Sequence, residues 1–299
     1  MPVRPPARVL PSTAPPRADV SAAPTHDPIA LSGFFDALWA DYVAMAPRAA
    51  RTRALFEARG EVVENDHVAF RTLDSGPISL DRLDVILTSL GYRRFAPYTF
   101  DDKHLRAWSY VPPLPGLPRV FASELDSTAF SPWLRETLSG LAAQVDPARV
   151  AGPSAFWAGR CWAPVAFETY QRLLQESEYA AWVAALGLRP NHFTISVNRL
   201  VQTPTIEQVI ALVEAEGIAI NAAGGKVKGT PADLLVQAST LADRQEVEFA
   251  GGERHLVPTC YYEFALRLTD ADGRLYEGFV PASANRIFES TDTRAVADR

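Results

Sequence analysis

The sequence PNHFTISVNRL, residues 190–200, decides the fold. With the period of two that characterises a strand, its polar and apolar side chains fall on opposite faces. The polar face holds His192, Thr194, Ser196 and Asn198, and the apolar face holds Phe193, Ile195 and Val197. A solvated edge strand shows the same alternation, so the stretch alone leaves two interpretations open.

A second strand that begins with a histidine lies earlier in the chain, in the sequence DHVAFRT of residues 66–72. Here His67, Ala69 and Arg71 alternate with Val68, Phe70 and Thr72. His67 and His192 each lie near the start of the first strand in a series of elements that occurs twice. This repetition favours a shared structural role for the two histidines.

The repeated order is strand, helix and then three strands. In the first half we predict the strand 66–72, a helix over 80–90, and strands over 92–100, 105–111 and 119–125. In the second half we predict the strand 190–200, a helix over 204–217, and strands over 218–227, 234–240, 246–249, 261–268 and 276–280. Paired modules of this kind build the vicinal-oxygen-chelate fold, whose curved sheet holds a metal. We therefore predict an α+β fold with two βαβββ-type modules, which form a curved, partly closed sheet around a metal site, with helical insertions.

The remaining segments complete the domain organisation. Residues 1–28 are rich in proline and alanine and are expected to form a disordered tail. Residues 29–299 are expected to form a single catalytic domain. Within it, module one covers about 61–125, a helical insert covers about 126–188, and module two covers about 189–292.

Composition excludes several classes of function. The 29 basic and 35 acidic residues give a net charge of −6 without a basic stripe, which argues against a nucleic-acid partner. Cys161 and Cys260 are far apart in sequence and indicate neither a disulfide framework nor a thiolate zinc site. The chain has no run of about 18 apolar residues and no secretory signal, so we expect a cytoplasmic protein without a membrane partner. An organellar transit peptide is the alternative, because Arg4, Arg8 and Arg17 precede the first acidic residue, although the density of proline argues against an amphipathic helix. The oligomeric state does not follow from the sequence.

The two histidines require a carboxylate if they hold a metal of the non-haem iron type. Glu263 is the candidate, because it lies in the aromatic strand TCYYEFALR of residues 259–267, where a buried acid needs a partner. The alternative is an ion pair between Glu263 and Arg267 on the same strand face.

Arg71 lies four residues after His67 and hence on the same face, about 13 Å further along the strand. A guanidinium there is suited to binding a substrate carboxylate with two hydrogen bonds, although it could also be an ordinary surface arginine. Gln237 and Ser239 share one face of the 234–240 strand and are predicted to line the cavity. Glu124 could support the site or lie at the surface, and Lys226 and Lys228 are expected to be solvated.

Five motifs resemble those of the 2-oxoadipate dioxygenase/decarboxylase family, also called 2-hydroxyglutarate synthases. They are HVAFRT (67–72), NHFT (191–194), LVQAST (235–240), YYEFA (261–265) and IFEST (287–291). The resemblance implies a vicinal-oxygen-chelate-like core with Fe(II) as cofactor. It also implies metal-ligand roles for His67, His192 and Glu263, and a role for Arg71 in binding the substrate carboxylate.

Members of that family convert 2-oxoadipate and dioxygen to 2-hydroxyglutarate and carbon dioxide in lysine catabolism. The resemblance therefore implies an Fe(II)-dependent dioxygenase/decarboxylase acting on 2-oxoadipate or a related 2-oxo acid. Two alternatives stay open on the same scaffold. One is a metal-dependent isomerase or lyase that uses Zn(II), Mn(II) or Ni(II), and the other is a non-catalytic ligand-binding protein.

Overall fold

The computed structural model describes residues 28–291. The tail predicted for residues 1–28 lies outside this range, apart from Pro28, where the first helix begins. The helices are α1 (Pro28–Met45), α2 (Pro47–Glu57), α3 (Leu80–Ser89), α4 (Pro132–Ala142), α5 (Phe167–Glu176), α6 (Glu178–Leu186), α7 (Ile206–Ala215) and α8 (Pro281–Phe288). The strands are β1 (Asn65–Leu73), β2 (Arg93–Phe100), β3 (Leu105–Val111), β4 (Arg119–Leu125), β5 (Pro190–Ser196), β6 (Leu235–Ser239), β7 (Arg244–Glu248), β8 (Arg254–Pro258) and β9 (Tyr261–Arg267). Several short 3-10 turns connect them.

Seven strands form one sheet in the order β2-β3-β4-β1-β5-β9-β6, and β7 and β8 form a separate hairpin. The sheet consists of two related halves. In the first half β1 pairs with β4 in parallel and β4 pairs with β3 antiparallel; in the second half β5 pairs with β9 in parallel and β9 pairs with β6 antiparallel. The antiparallel pair β1–β5 joins the two halves at the centre. The prediction of two related modules in one α+β sheet is confirmed.

The second module is less regular than the sequence predicts. Residues 218–227 do not form a strand, and only isolated bridges at Ile220 and Lys228 attach this part of the chain to β6 and its flank. Gly224 and Gly225 adopt positive φ angles of 67° and 102°, which turn the backbone away from an extended course. This segment occupies the place that β2 takes in the first module.

The predicted strand over residues 276–280 is also wrong. The backbone carbonyls of Tyr276 and Gly278 accept hydrogen bonds from the guanidinium of Arg267 instead of joining a ladder. Helix α8, which the sequence pattern did not predict, follows directly and begins with Pro281 at its first position. It contacts both edge strands of the large sheet, β2 and β6, and so bridges the open side of the curved sheet.

The apolar face of the sheet packs against helices. Helix α1 lies on β5, α7 lies on β6 and β9, and α3 lies on β4. Trp39 and Tyr42 of α1 contact the ring of Phe193, with ring centroids 5.3 and 5.0 Å apart. Because this face is filled by the core, the opposite face is the one that can hold a site. No helix within residues 28–291 combines the length and hydrophobicity that a membrane span requires.

Candidate metal centre

His67, His192 and Glu263 meet on the inner face of the sheet, on the neighbouring strands β1, β5 and β9. Nε2 of His67 lies 3.6 Å from Oε1 of Glu263, and Nε2 of His192 lies 3.3 Å from Oε2 of the same carboxylate. One nitrogen or oxygen from each residue lies within 4.8 Å of the other two. All three side chains are buried. The structure thus brings together the three residues that the sequence singled out.

A β-bulge precedes each histidine. Asp66 is the extra residue on β1, because Asn65 and His67 pair with consecutive residues of β5; Asn191 is the extra residue on β5 for the same reason. Each extra residue then reaches the histidine that follows it. Asp66 Oδ2 lies 2.8 Å from Nδ1 of His67, and Asn191 Oδ1 lies 3.0 Å from Nδ1 of His192.

These contacts fix the orientation of both rings. An acceptor at Nδ1 favours the tautomer that carries its proton there, so that Nε2 presents a lone pair to the centre of the site. The strand pattern did not predict these roles for Asp66 and Asn191. The signal was present as an Asp or Asn immediately before each histidine, but a regular alternation assigns such a residue to the opposite face of the strand.

Asp66 is itself held by a buried arginine. Nε and Nη2 of Arg267 donate to the two carboxylate oxygens of Asp66, at 2.7 and 2.9 Å. Burial favours protonation of Asp66, but Arg267 and the hydrogen bond from His67 hold the pKa of this carboxyl well below its usual value. The alternative interpretation, an ion pair between Arg267 and Glu263, is wrong because Asp66 takes the guanidinium.

Burial shifts the three central groups toward their neutral forms. Burial lowers the pKa of His67. It also holds the pKa of His192 well below its usual value, and the charges of the nearby His67 and Arg71 lower that pKa further. It also raises the pKa of Glu263 to about 8, although the side-chain amide of Gln237 donates to this carboxylate. Two neutral imidazoles are therefore ready to bind a cation, and a cation would stabilise the ionised form of Glu263.

The donor set suits a divalent metal. Two imidazoles and one carboxylate on one side are the ligands of many non-haem iron sites, and they also suit Zn(II), Mn(II) and Ni(II). Asp66 and Asn191 hold the Nδ1 atoms of the two histidines, so both Nε2 lone pairs point into the site. Among the described residues, no lysine or arginine side chain contacts the Glu263 carboxylate directly. The residues present fit a metal ion at this position.

A cavity of about 20 Å³ adjoins the three candidate ligands. Its other walls are Phe121, Gln237, Phe279, Ala284, Ile287 and Phe288. Phe279 packs its ring against His67 with centroids 4.8 Å apart, and Ala284, Ile287 and Phe288 come from α8. Apart from Gln237, the cavity is therefore apolar beyond its three candidate ligands, and helix α8 closes it.

Arg71 lies beyond His192 on the same inner face and is 1% exposed, so the surface alternative is wrong. Nη1 donates to Glu178 Oε1 at 2.8 Å, and Nη2 donates to Thr291 Oγ1 at 2.9 Å. Nε has no partner within residues 28–291. The rings of Tyr179, Trp182 and Phe288 surround the guanidinium. Arg71 is thus a buried cation whose Nε remains without a partner among the described residues.

The other polar candidates have diverse positions. Gln237 donates to Glu263 and lines the cavity. The Ser239 hydroxyl lies 2.9 Å from the Ser290 hydroxyl, which links β6 to the segment after α8. Glu124 accepts from the backbone N–H of Leu80 at 2.9 Å and from Arg106 at 2.7 Å, so it caps the start of α3 and takes no part in the metal centre.

The expectation of two solvated lysines holds for only one of them. Lys226 is exposed and pairs with Glu214 at 2.7 Å. Lys228 is 3% exposed, and its ammonium donates to the backbone carbonyls of Asn221 and Gly225. Burial lowers the pKa of Lys228 to about 8. The buried ammonium of Lys228 therefore stabilises the turn at Gly224 and Gly225 by hydrogen bonds to its backbone.

Comparisons with known proteins identify relatives of the whole fold. The sequence model of the 2-oxoadipate dioxygenase/decarboxylase family matches residues 40–154 and 154–274. A protein of Arabidopsis thaliana named 2-oxoadipate dioxygenase/decarboxylase, chloroplastic, is 34% identical over 250 residues, which cover 76% of this chain and 67% of the relative. Because that name includes a plastid, the expectation of a cytoplasmic location stays a prediction.

Two solved structures are similar along most of their length. The hydroxyglutarate synthase of Oryza sativa in complex with 2-oxoadipate is 29% identical with a TM-score of 0.84, and the similarity covers 96% of this chain and 99% of that one. A protein of Shewanella frigidimarina NCIMB 400, described as a hydrolase, is 44% identical with a TM-score of 0.80, covering 84% of this chain and 98% of that one. With the family model matching most of its length, this chain belongs to the 2-oxoadipate dioxygenase/decarboxylase family.

Proposed function

We propose that this protein is an Fe(II)-dependent dioxygenase/decarboxylase that acts on 2-oxoadipate or a related 2-oxo acid. With 2-oxoadipate, the reaction consumes one dioxygen and gives 2-hydroxyglutarate and carbon dioxide, which balances all atoms. The observation that carries the proposal is the buried group of His67, His192 and Glu263 in a chain of this family. The substrate class is suggested by the rice relative, whose structure contains 2-oxoadipate.

In this proposal His67, His192 and Glu263 hold the metal, and Asp66 and Asn191 keep both imidazoles oriented. Fe(II) bound there would supply Lewis acidity toward the 2-oxo acid and electrons for the reaction with dioxygen. Gln237 holds one oxygen of Glu263 and so limits the directions that this carboxylate can take. A direct contact between Ser239 and the substrate stays a prediction.

Arg71 supplies the positive charge that a 2-oxo acid needs on entering a buried site. Its guanidinium is held by Glu178 and Thr291, so its direction is set before the substrate arrives. The apolar rings of Phe121, Phe279 and Phe288 exclude water from the cavity beside the metal ligands.

The cavity must enlarge to admit a substrate. About 20 Å³ is space for roughly one water molecule, whereas 2-oxoadipate has about eleven heavy atoms. Phe288 separates this cavity from a second one of about 200 Å³ at the surface, which Arg71 also lines. We infer that Phe288 and α8 shift on substrate entry, so that the two cavities merge beside Arg71.

Metal reconstitution tests the proposal. The purified chain is loaded separately with Fe(II), Mn(II) and Zn(II), and consumption of 2-oxoadipate is followed with and without dioxygen. We expect turnover only with Fe(II) and dioxygen, with equal amounts of both substrates consumed. Turnover in the absence of dioxygen would instead identify a lyase or isomerase, and full ligand affinity without any metal would identify a binding protein.

A further inference from the structure

Among the buried hydrogen-bond donors that have no partner within residues 28–291 are Nε of Arg71 and the hydroxyl of Tyr261. Both side chains are 1% exposed. A buried donor without an acceptor costs about 1 to 3 kcal/mol, so a pair of them on the same face requires an explanation.

Both donors belong to the inner face of the sheet. Tyr261 lies two residues before Glu263 on β9 and pairs with His192 across the strands. Its ring stacks on the His192 imidazole with centroids 4.6 Å apart and an angle of 24° between the planes. His192 pairs in turn with Ala69 of β1, so Tyr261 lies at the end of the site toward Arg71, whereas Glu263 lies two residues further from it.

The donors lie at a useful distance from the metal ligands. Ala69 pairs with His192, and Arg71 is two residues further along β1, hence about 7 Å away along the strand. In an extended 2-oxoadipate, the four carbon–carbon bonds from the keto carbon to the far carboxyl carbon span about 5 Å. A substrate whose keto acid end lies at His67, His192 and Glu263 can therefore extend its other end to Arg71 and Tyr261.

We propose that Tyr261 is a specificity-determining residue whose hydroxyl, together with Nε of Arg71, binds the carboxylate of the substrate that is remote from the metal. One oxygen of that carboxylate accepts from Arg71 and the other accepts from Tyr261, so both orphan donors are satisfied at once. This inference rests on the proposed function and extends it, because it explains a preference for dicarboxylic 2-oxo acids over monocarboxylic ones of equal length.

The test compares Tyr261→Phe with a matched control, Tyr262→Phe. Tyr262 is the next residue on β9, is equally buried, and also has a hydroxyl without a partner in the described residues. Its ring lies on the opposite face beside Trp39. Both substitutions remove one buried phenol oxygen and keep the ring, so the stacking on His192 persists in Tyr261→Phe.

Affinities of the metal-loaded proteins for 2-oxoadipate and for 2-oxohexanoate, which lacks the far carboxylate, are measured by calorimetry without dioxygen. Tyr261→Phe should bind 2-oxoadipate about ten- to a hundredfold more weakly and 2-oxohexanoate as the parent does. Tyr262→Phe should bind both acids as the parent does. An unchanged affinity for 2-oxoadipate in Tyr261→Phe, or an equal loss for both acids, would overturn the inference while leaving the proposed function intact. A parent protein that binds neither acid would contradict the proposed function itself.

Discussion

Asp66 and Arg267 form a two-point ion pair across 201 positions of the sequence, with N–O distances of 2.7 and 2.9 Å. The same carboxylate holds Nδ1 of His67. Nη1 of Arg267 also donates to Gly278 O at 2.7 Å, in the loop that carries Phe279. One buried arginine thus fixes a candidate metal ligand and one wall of the cavity.

Removing the carboxylate of Asp66 should weaken metal binding without removing a ligand. Asp66→Asn retains an acceptor for His67 but loses the charge that holds it to Arg267, so metal affinity should fall about ten- to a hundredfold. The metal-free protein should also lose about 3 to 5 kcal/mol of its free energy of unfolding, because Arg267 is left buried and unpaired. Competition with a chelator and denaturant unfolding measure the two effects.

The matched control for that variant is Asp84→Asn, which breaks the partly exposed pair between Asp84 and Arg94. We expect a loss of no more than about 1 kcal/mol and no change in metal affinity. Metal affinity at the parent level in Asp66→Asn would mean that the contact with His67 has no influence on the site.

The three candidate ligands should be individually indispensable for metal binding. His67→Ala, His192→Ala and Glu263→Ala each remove one of three protein donors, so each should abolish stoichiometric iron binding and turnover. Iron content after reconstitution and gel filtration measures this. His255→Ala is the control, because His255 is partly exposed and stacks on Phe167 away from the centre. Parent-like iron content in any of the three ligand variants would remove that residue from the site.

Arg71 should affect the substrate and leave the metal in place. Arg71→Lys keeps the charge but loses the Nε donor that faces the substrate in this account, so affinity for 2-oxoadipate should fall by about 1.5 to 3 kcal/mol with iron binding retained. Arg71→Met should weaken binding further, but it leaves Glu178 without its partner. The double variant Arg71→Met/Glu178→Gln removes both charges and serves as the control for stability. Parent-like substrate affinity in a folded double variant would make Arg71 a structural residue.

The alternation of the strands was sufficient to predict much of this site. It placed His67 and Arg71 on one face of β1 and Glu263 on the matching face of β9, and the bounds predicted for β3 and β4 agree with the structure. It could not place Asp66 or Asn191, because a bulge cancels the alternation where it occurs.

Long-range partners were also beyond the reach of the pattern. The pairing of Arg71 with Glu178 depends on how α6 docks at the end of β1, and a helical periodicity does not specify its neighbour. Helix α8 has only eight residues, too few for a clear helical periodicity. Its contacts with β2 and β6 depend on the folded sheet and could not be predicted from the sequence pattern. The burial of Lys228 has a similar origin, since the turn at Gly224 and Gly225 encloses its ammonium.

Glu263 should make the stability of the metal-free protein depend on pH. Its folded-state pKa is raised from 4.5 to about 8, so between these values the native state binds more protons than the unfolded state. The free energy of unfolding should therefore fall as pH rises from 5 to 8, by up to about 1.4 kcal/mol per pH unit relative to Glu263→Gln. Metal loading should remove this trend. Parallel pH curves for the parent and Glu263→Gln without metal would show that Glu263 ionises at its ordinary pKa.

The most direct test of the proposed reaction follows the atoms of dioxygen. The Fe(II)-loaded protein is given 2-oxoadipate under isotopically labelled dioxygen, and the products are analysed by mass spectrometry. The proposed reaction predicts 2-hydroxyglutarate that contains both labelled oxygen atoms, one in its new carboxylate and one in its hydroxyl, together with unlabelled carbon dioxide. Unlabelled 2-hydroxyglutarate, or loss of 2-oxoadipate without consumption of dioxygen, would contradict it.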